Sequence, residues 1–142
     1  MKDYPCVSMQ TIIALRNEIA AENRDTAGKA SANLAELIWD GQVSNDALQL
    51  LLNDENDNVR AEVAWAIRDF RGPPQGVKWL FTYGLKDSYN RVRYHSLNAL
   101  REMRYFSHEC CDIVRAIADE GPSPEQRIAS ELLTSWQDAG LI

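Results

Sequence analysis

The chain has 142 residues, 45% hydrophobic and 25% charged, with a mean hydropathy of −0.39; this is ordinary globular usage, and the length allows about two-thirds of the unfolded surface to be buried. No run approaches the roughly 18 apolar residues of a membrane span, and three cysteines, two of them adjacent (Cys6, Cys110, Cys111), are not a disulfide framework. The net charge of −6, with a pI near 4.9, gives a long-range field that repels nucleic acid and attracts basic proteins.

The first residues, Met1 to Cys6, lack the basic-then-apolar layout of a signal peptide, so a cytoplasmic location with reduced thiols is expected. From there the chain divides into helical hairpins over about residues 10–41, 42–74, 75–107 and 108–142. The first helices carry Leu15 and Ile19, then Ala47, Leu48, Leu51 and Leu52, then Leu80, Phe81 and Leu85, then Ile113, Val114, Ile117 and Ala118. Second helices follow, with Val59, Val63, Ala66, Ile67 and Phe70 on one face, and Val92, Ser96, Ala99, Leu100 and Met103 one hairpin later. Ser44 and Ser107 are candidate caps for first helices, and Asp57, Asn90 and Ser123 for second ones; Ser123, Pro124 and Gln126 read as a capping box with proline at the first helical position. Gly72, Pro73, Pro74 and Gly76 predict a turn between the second and third hairpins.

These segments align at a step of 33 residues without an insertion. Leu34, Ile67, Leu100 and Leu133 form one ladder, Leu37, Phe70, Met103 and Trp136 a second, and Ala30, Val63, Ser96 and Ala129 a third that admits only small or β-branched residues. Leu15, Leu48, Phe81 and Val114, and then Ile19, Leu52, Leu85 and Ala118, extend the register into the first helices. Short helices are marginal alone, and a period of this length is the mark of stacked helical repeats. The predicted fold is all-α, an α-α superhelix (solenoid) of four helical-hairpin repeats forming a single domain over 1–142.

In the two central units the turn and second helix read Leu52, Asp54, Val59, Arg60, Ala64, Ala66, Ile67 and then Leu85, Asp87, Val92, Arg93, Leu97, Ala99, Leu100. An aspartate followed six residues on by an arginine, with valine just before it, resembles the HEAT repeat, in particular the short HEAT-like form of phycobilisome lyases. The resemblance implies a structural ladder in which the turn aspartate pairs with the arginine of its own or the neighbouring repeat: Asp54 with Arg60 and Asp87 with Arg93. The outer units depart from the pattern, with Ala21, Thr26 and Ala27 in the first and Glu120, Glu125 and Gln126 in the fourth, as terminal repeats do.

Catalytic signals are absent from the sequence. There is no Gly-rich phosphate loop, HExxH or CxxC, and the two histidines are His95 and His108. His108, Cys110, Cys111 and Asp112 combine metal-binding types at poor spacing, since adjacent helical side chains diverge by about 100°; the cysteines read as small buried apolar residues. No metal, cofactor or enzymatic activity is predicted.

The outer face of the second helices carries more information. With Val63 and Phe70 inward, Trp65 and Arg68 point outward, flanked by Glu62 and Asp69; one repeat on, the equivalents are Tyr94, His95, Asn98, Arg101 and Glu102. The HEAT resemblance places second helices on the concave side, so these residues are the candidate partner-binding set, and tryptophan with arginine and carboxylates is the usual composition of a protein-binding hot spot. Trp39, Trp79 and Trp136 read as packing residues.

Charge is uneven along the chain: residues 1–72 hold 7 Lys+Arg against 12 Asp+Glu, residues 73–108 hold 6 against 2, and residues 109–142 hold 2 against 7. The reading that follows is a non-enzymatic protein-binding module for a basic partner, with an immunity or inhibitor protein against a basic toxin or nuclease as its narrower form. Two alternatives come from other classes. One is a bilin lyase subunit or chromophore-handling protein, implied by the resemblance alone; the other is nucleic-acid binding through the basic third repeat.

Overall fold

A computed structural model describes residues 5–68 and 74–142. Among these the chain forms α-helices and no strand: α1 (Met9–Ala20), α2 (Arg24–Trp39), α3 (Asn45–Leu52), α4 (Asp57–Ala66), α5 (Pro74–Thr82), α6 (Asn90–Met103), α7 (His108–Glu120) and α8 (Glu125–Asp138), with a 3₁₀ turn at Gly84–Lys86. They gather into two compact units, residues 1–79 and 80–142. Asp69, Phe70, Gly72 and Pro73 lie outside the described residues.

In the first unit α1 packs on α2 and α3 on α4, and the hairpins join through α2 against α4. In the second, the 3₁₀ turn packs on α6 and α7 on α8, and the join is α6 against α8. Each unit therefore stacks second helix on second helix, which is what the ladders predict. Leu34, Ile67 and Leu100 are fully buried, as are Ala30, Val63, Ser96 and Ala129. Leu133 is half-buried instead, because the inward stripe of α8 runs through Ile128, Ala129, Leu132 and Trp136. Leu48, Leu52, Phe81, Leu85 and Val114 complete the core from the first-helix side.

Ser44 and Ser107 cap α3 and α7, their hydroxyls accepting from the Ala47 and Cys110 amides at 3.2 and 3.1 Å. At α4 and α6 the second-helix caps stand one residue earlier than the sequence suggests. Asn56 and Asn23 are extended and accept from two amides each, which leaves Asp57 as the first helical residue of α4, where the helix dipole favours its charge. Tyr89 precedes α6 in the same register, so Asn90 is already helical. At α8 the predicted capping box does not form: the helix starts at Glu125, and Gln126 donates to the Ala118 carbonyl instead.

The expected turn at Pro74 and Gly76 is also corrected, since both lie within α5. Proline at the first helical position lacks only an amide that would be unpaired there anyway. Gly76 serves close approach, because a Cβ added there would stand 2.7 Å from Ile67 Cδ1 and 3.2 Å from Leu48 Cδ2. The third first helix is shorter than predicted; it ends at Thr82, and Leu85 reaches the core from the 3₁₀ turn.

The turn aspartates act through geometry the motif did not reveal. Asp54 accepts the Asn56 amide at 2.8 Å and Asp87 the Tyr89 amide at 2.9 Å, each closing an Asx turn at the entrance to a second helix. Arg60 and Arg93 reach the backbone carbonyls of Asp54 and Asp87, at 2.7 and 2.8 Å. Arg16 of α1 holds the Asp54 carboxylate with two bonds of 2.8 and 2.9 Å. One unit later, Arg93 turns the rest of its guanidinium to Glu125, at 2.7 and 3.2 Å. Glu125 occupies the register position of Val59 and Val92 and is 2% exposed. What reads as a departure of the fourth repeat is a buried charge neutralised by the repeat before it.

These observations make stability predictions. Gly28 lies in α2 with open space around its Cα, so Gly28→Ala should raise unfolding free energy by up to about 1 kcal/mol, whereas Gly76→Ala should lower it by about 1 kcal/mol once overpacking exceeds the propensity gain; urea titration of both variants measures the sign. Arg93→Met, which strands the Glu125 carboxylate, should cost about 3 kcal/mol, with much of that loss recovered when Glu125→Val is added. Hydrogen bonding by Arg16 holds the Asp54 carboxyl below its ordinary range. The stability from that pair is therefore complete above about pH 4 and lost as pH falls through the lowered value. Asp54→Asn should cost about 2 kcal/mol at pH 7 and flatten the acid limb of a melting-temperature profile.

Candidate partner-binding surface

Within the first unit, α2 and α4 bring two tryptophans together. Trp39, the last residue of α2, donates its indole N–H to the Ala66 carbonyl at 2.8 Å, which fixes the ring against the end of α4. Trp65 packs on it with ring centroids 5.7 Å apart and planes tilted by 57°. Trp65 nevertheless remains 36% exposed, so it is both a packing residue and a surface one. Glu62 and Arg68 are half-buried on either side along the chain and engage in further interactions within it; Asp69 lies outside the described residues.

Within the second unit the predicted outward set divides. Arg101 and Glu102 are exposed and Tyr94 half-buried. His95 is 8% exposed and Asn98 1%, which corrects their expected outward placement. The physical reason is that residues 95 to 100 are all buried, so α6 is enclosed over much more of its circumference than a single stripe. Asn98 tolerates this because its amide is satisfied: Nδ2 donates to the Tyr94 carbonyl at 2.9 Å, and its oxygen accepts from Arg101. His95 meets Tyr94 edge-on at 5.6 Å. Arg101 continues to Glu131 of α8 at 3.1 Å, and Glu131 stands one period beyond Asn98 and two beyond Trp65. The outer register is therefore aromatic in the first unit and a polar relay in the second.

Cys110 and Cys111 are both buried. Burial raises the Cys110 thiol pKa, and its Sγ lies 3.7 Å from the Phe81 carbonyl, the contact of a packed thiol rather than of an activated nucleophile. Among the described residues no group of three or more His, Cys, Asp and Glu side chains could hold a metal ion, and no helix is long and apolar enough to cross a membrane.

Trp39 and Glu125 are the residues that sequence reasoning underrated. Trp39 and Trp65 differ by 26 positions rather than by the period, so no ladder joins them. Glu125 did carry a signal, an acid at a valine register position, but nothing in the sequence named Arg93 as its partner.

A family model for HEAT repeats matches residues 44–133, more than half of the chain. No curated protein and no solved structure matches it. HEAT repeats generally mediate protein–protein interaction. With hairpins stacked second helix on second helix and an aspartate-to-arginine turn repeated in register, the match establishes that the chain belongs to the HEAT-repeat family.

Proposed function

We propose that the chain is a non-enzymatic module that binds a protein partner through the exposed faces of its second helices, with Trp65 as an anchor. The observation that carries this reading is Trp65 itself, a large aromatic braced from behind by Trp39 yet open to solvent. A rigid aromatic surrounded by charged groups loses little entropy on binding and can bury a large area. Glu62 and Arg68 are charged neighbours of that anchor along α4 and just beyond it. With seven basic against 12 acidic residues over 1–72, electrostatic complementarity selects a basic partner. An immunity or inhibitor protein that sequesters a basic toxin or nuclease is the narrower form of the proposal, supported by charge.

Calorimetric titration with the product of the adjacent gene tests it. A basic neighbour should bind, and Trp65→Ala should weaken that binding by about 2 kcal/mol, roughly 30-fold, with the helical circular dichroism retained. A neighbour that binds equally well without the indole would remove Trp65 as anchor, and one that does not bind would remove the toxin-directed form.

A further inference from the structure

Resting on the protein-binding reading above, we infer that the Trp39–Trp65 step receives an arginine side chain of the partner. The two indoles touch at an angle of 57°, and the hydrogen bond from Trp39 to Ala66 holds one of them in place. Trp65, 36% exposed, offers an indole face to solvent beside the half-buried Trp39.

Carboxylates accompany both rings. Glu36 and Glu62 stand three residues before Trp39 and Trp65, the spacing that puts side chains on one helix face, and Asp40 follows Trp39 directly. Glu36 and Asp40 are exposed. α2 has no basic residue in its last turn, so the negative end of its dipole lies beside Trp39 without a compensating charge from within that turn. Arg68, just beyond α4, is already engaged inside the chain.

A cation is the ligand chemistry that suits this combination. Tryptophan is the strongest cation–π partner among the aromatic residues. A guanidinium is planar, so it can lie on an indole face while its N–H edge donates to a carboxylate; an ammonium group offers a point charge and cannot do both. The step therefore discriminates arginine from lysine, which a diffuse acidic field would not.

Fluorescence anisotropy with labelled hexa-arginine and hexa-lysine peptides, titrated with the full chain at fixed ionic strength, tests the inference. Hexa-arginine should bind at least about threefold more tightly than hexa-lysine. Trp65→Leu, which keeps an apolar residue against Trp39, should bring the two affinities together with unchanged circular dichroism, and Glu36→Gln with Asp40→Asn should weaken both peptides. Equal affinities on the unaltered chain, a comparison that needs no variant, would overturn the inference, and so would an arginine preference that survives Trp65→Leu. If the preference is missing while a protein partner still depends on Trp65, the arginine step fails and the protein-binding reading stands. An arginine preference in a chain whose protein binding ignores Trp65 has the opposite consequence: the step stands, and Trp65 is lost as the anchor for the protein partner.

Discussion

The packing of one second helix against the next is the contact on which the rest of this structure depends. On those helices Ala30, Val63, Ser96 and Ala129, small or β-branched, are fully buried. Individual helices of 8 to 16 residues are marginal at best in water on their own. Burial against a neighbouring hairpin supplies what local propensity lacks, and the repeat is therefore a unit of sequence before it is a unit of stability.

Arginines bind the hairpins together through a division of labour. The arginine six residues after the turn aspartate bonds to the aspartate's backbone carbonyl, and the aspartate side chain closes the turn. Two bidentate charge pairs join hairpins, Arg16 with Asp54 in one unit and Arg93 with Glu125 in the other. Bidentate geometry makes these contacts directional, so they fix how one hairpin sits on the next. The buried Glu125 adds more to registration than to net stability, because desolvation offsets much of a buried pair's attraction.

The surface differs from the core in what it repeats. Positions equivalent to Trp65 hold Asn98 and Glu131, and the side chains there answer to different neighbours: an indole in one unit, a relay through Arg101 in the other. A repeat protein can keep its inward ladders constant while each outward position varies, which is how a shared scaffold comes to recognise particular partners.

The helical architecture of the described residues and the buried positions Leu34, Ile67 and Leu100, and Ala30, Val63, Ser96 and Ala129, were legible in the sequence, because burial against a similar neighbour makes suitable residues recur at the same step. Ser44 and Ser107 were legible as caps for a local reason, a hydroxyl three residues from the amide it accepts. The burial of His95 and Asn98, the closeness of Trp39 to Trp65 and the meeting of Arg93 with Glu125 were decided only by tertiary structure. Each depends on how far a helix is rotated and what covers it from another hairpin, and neither quantity is written into the local spacing of residues.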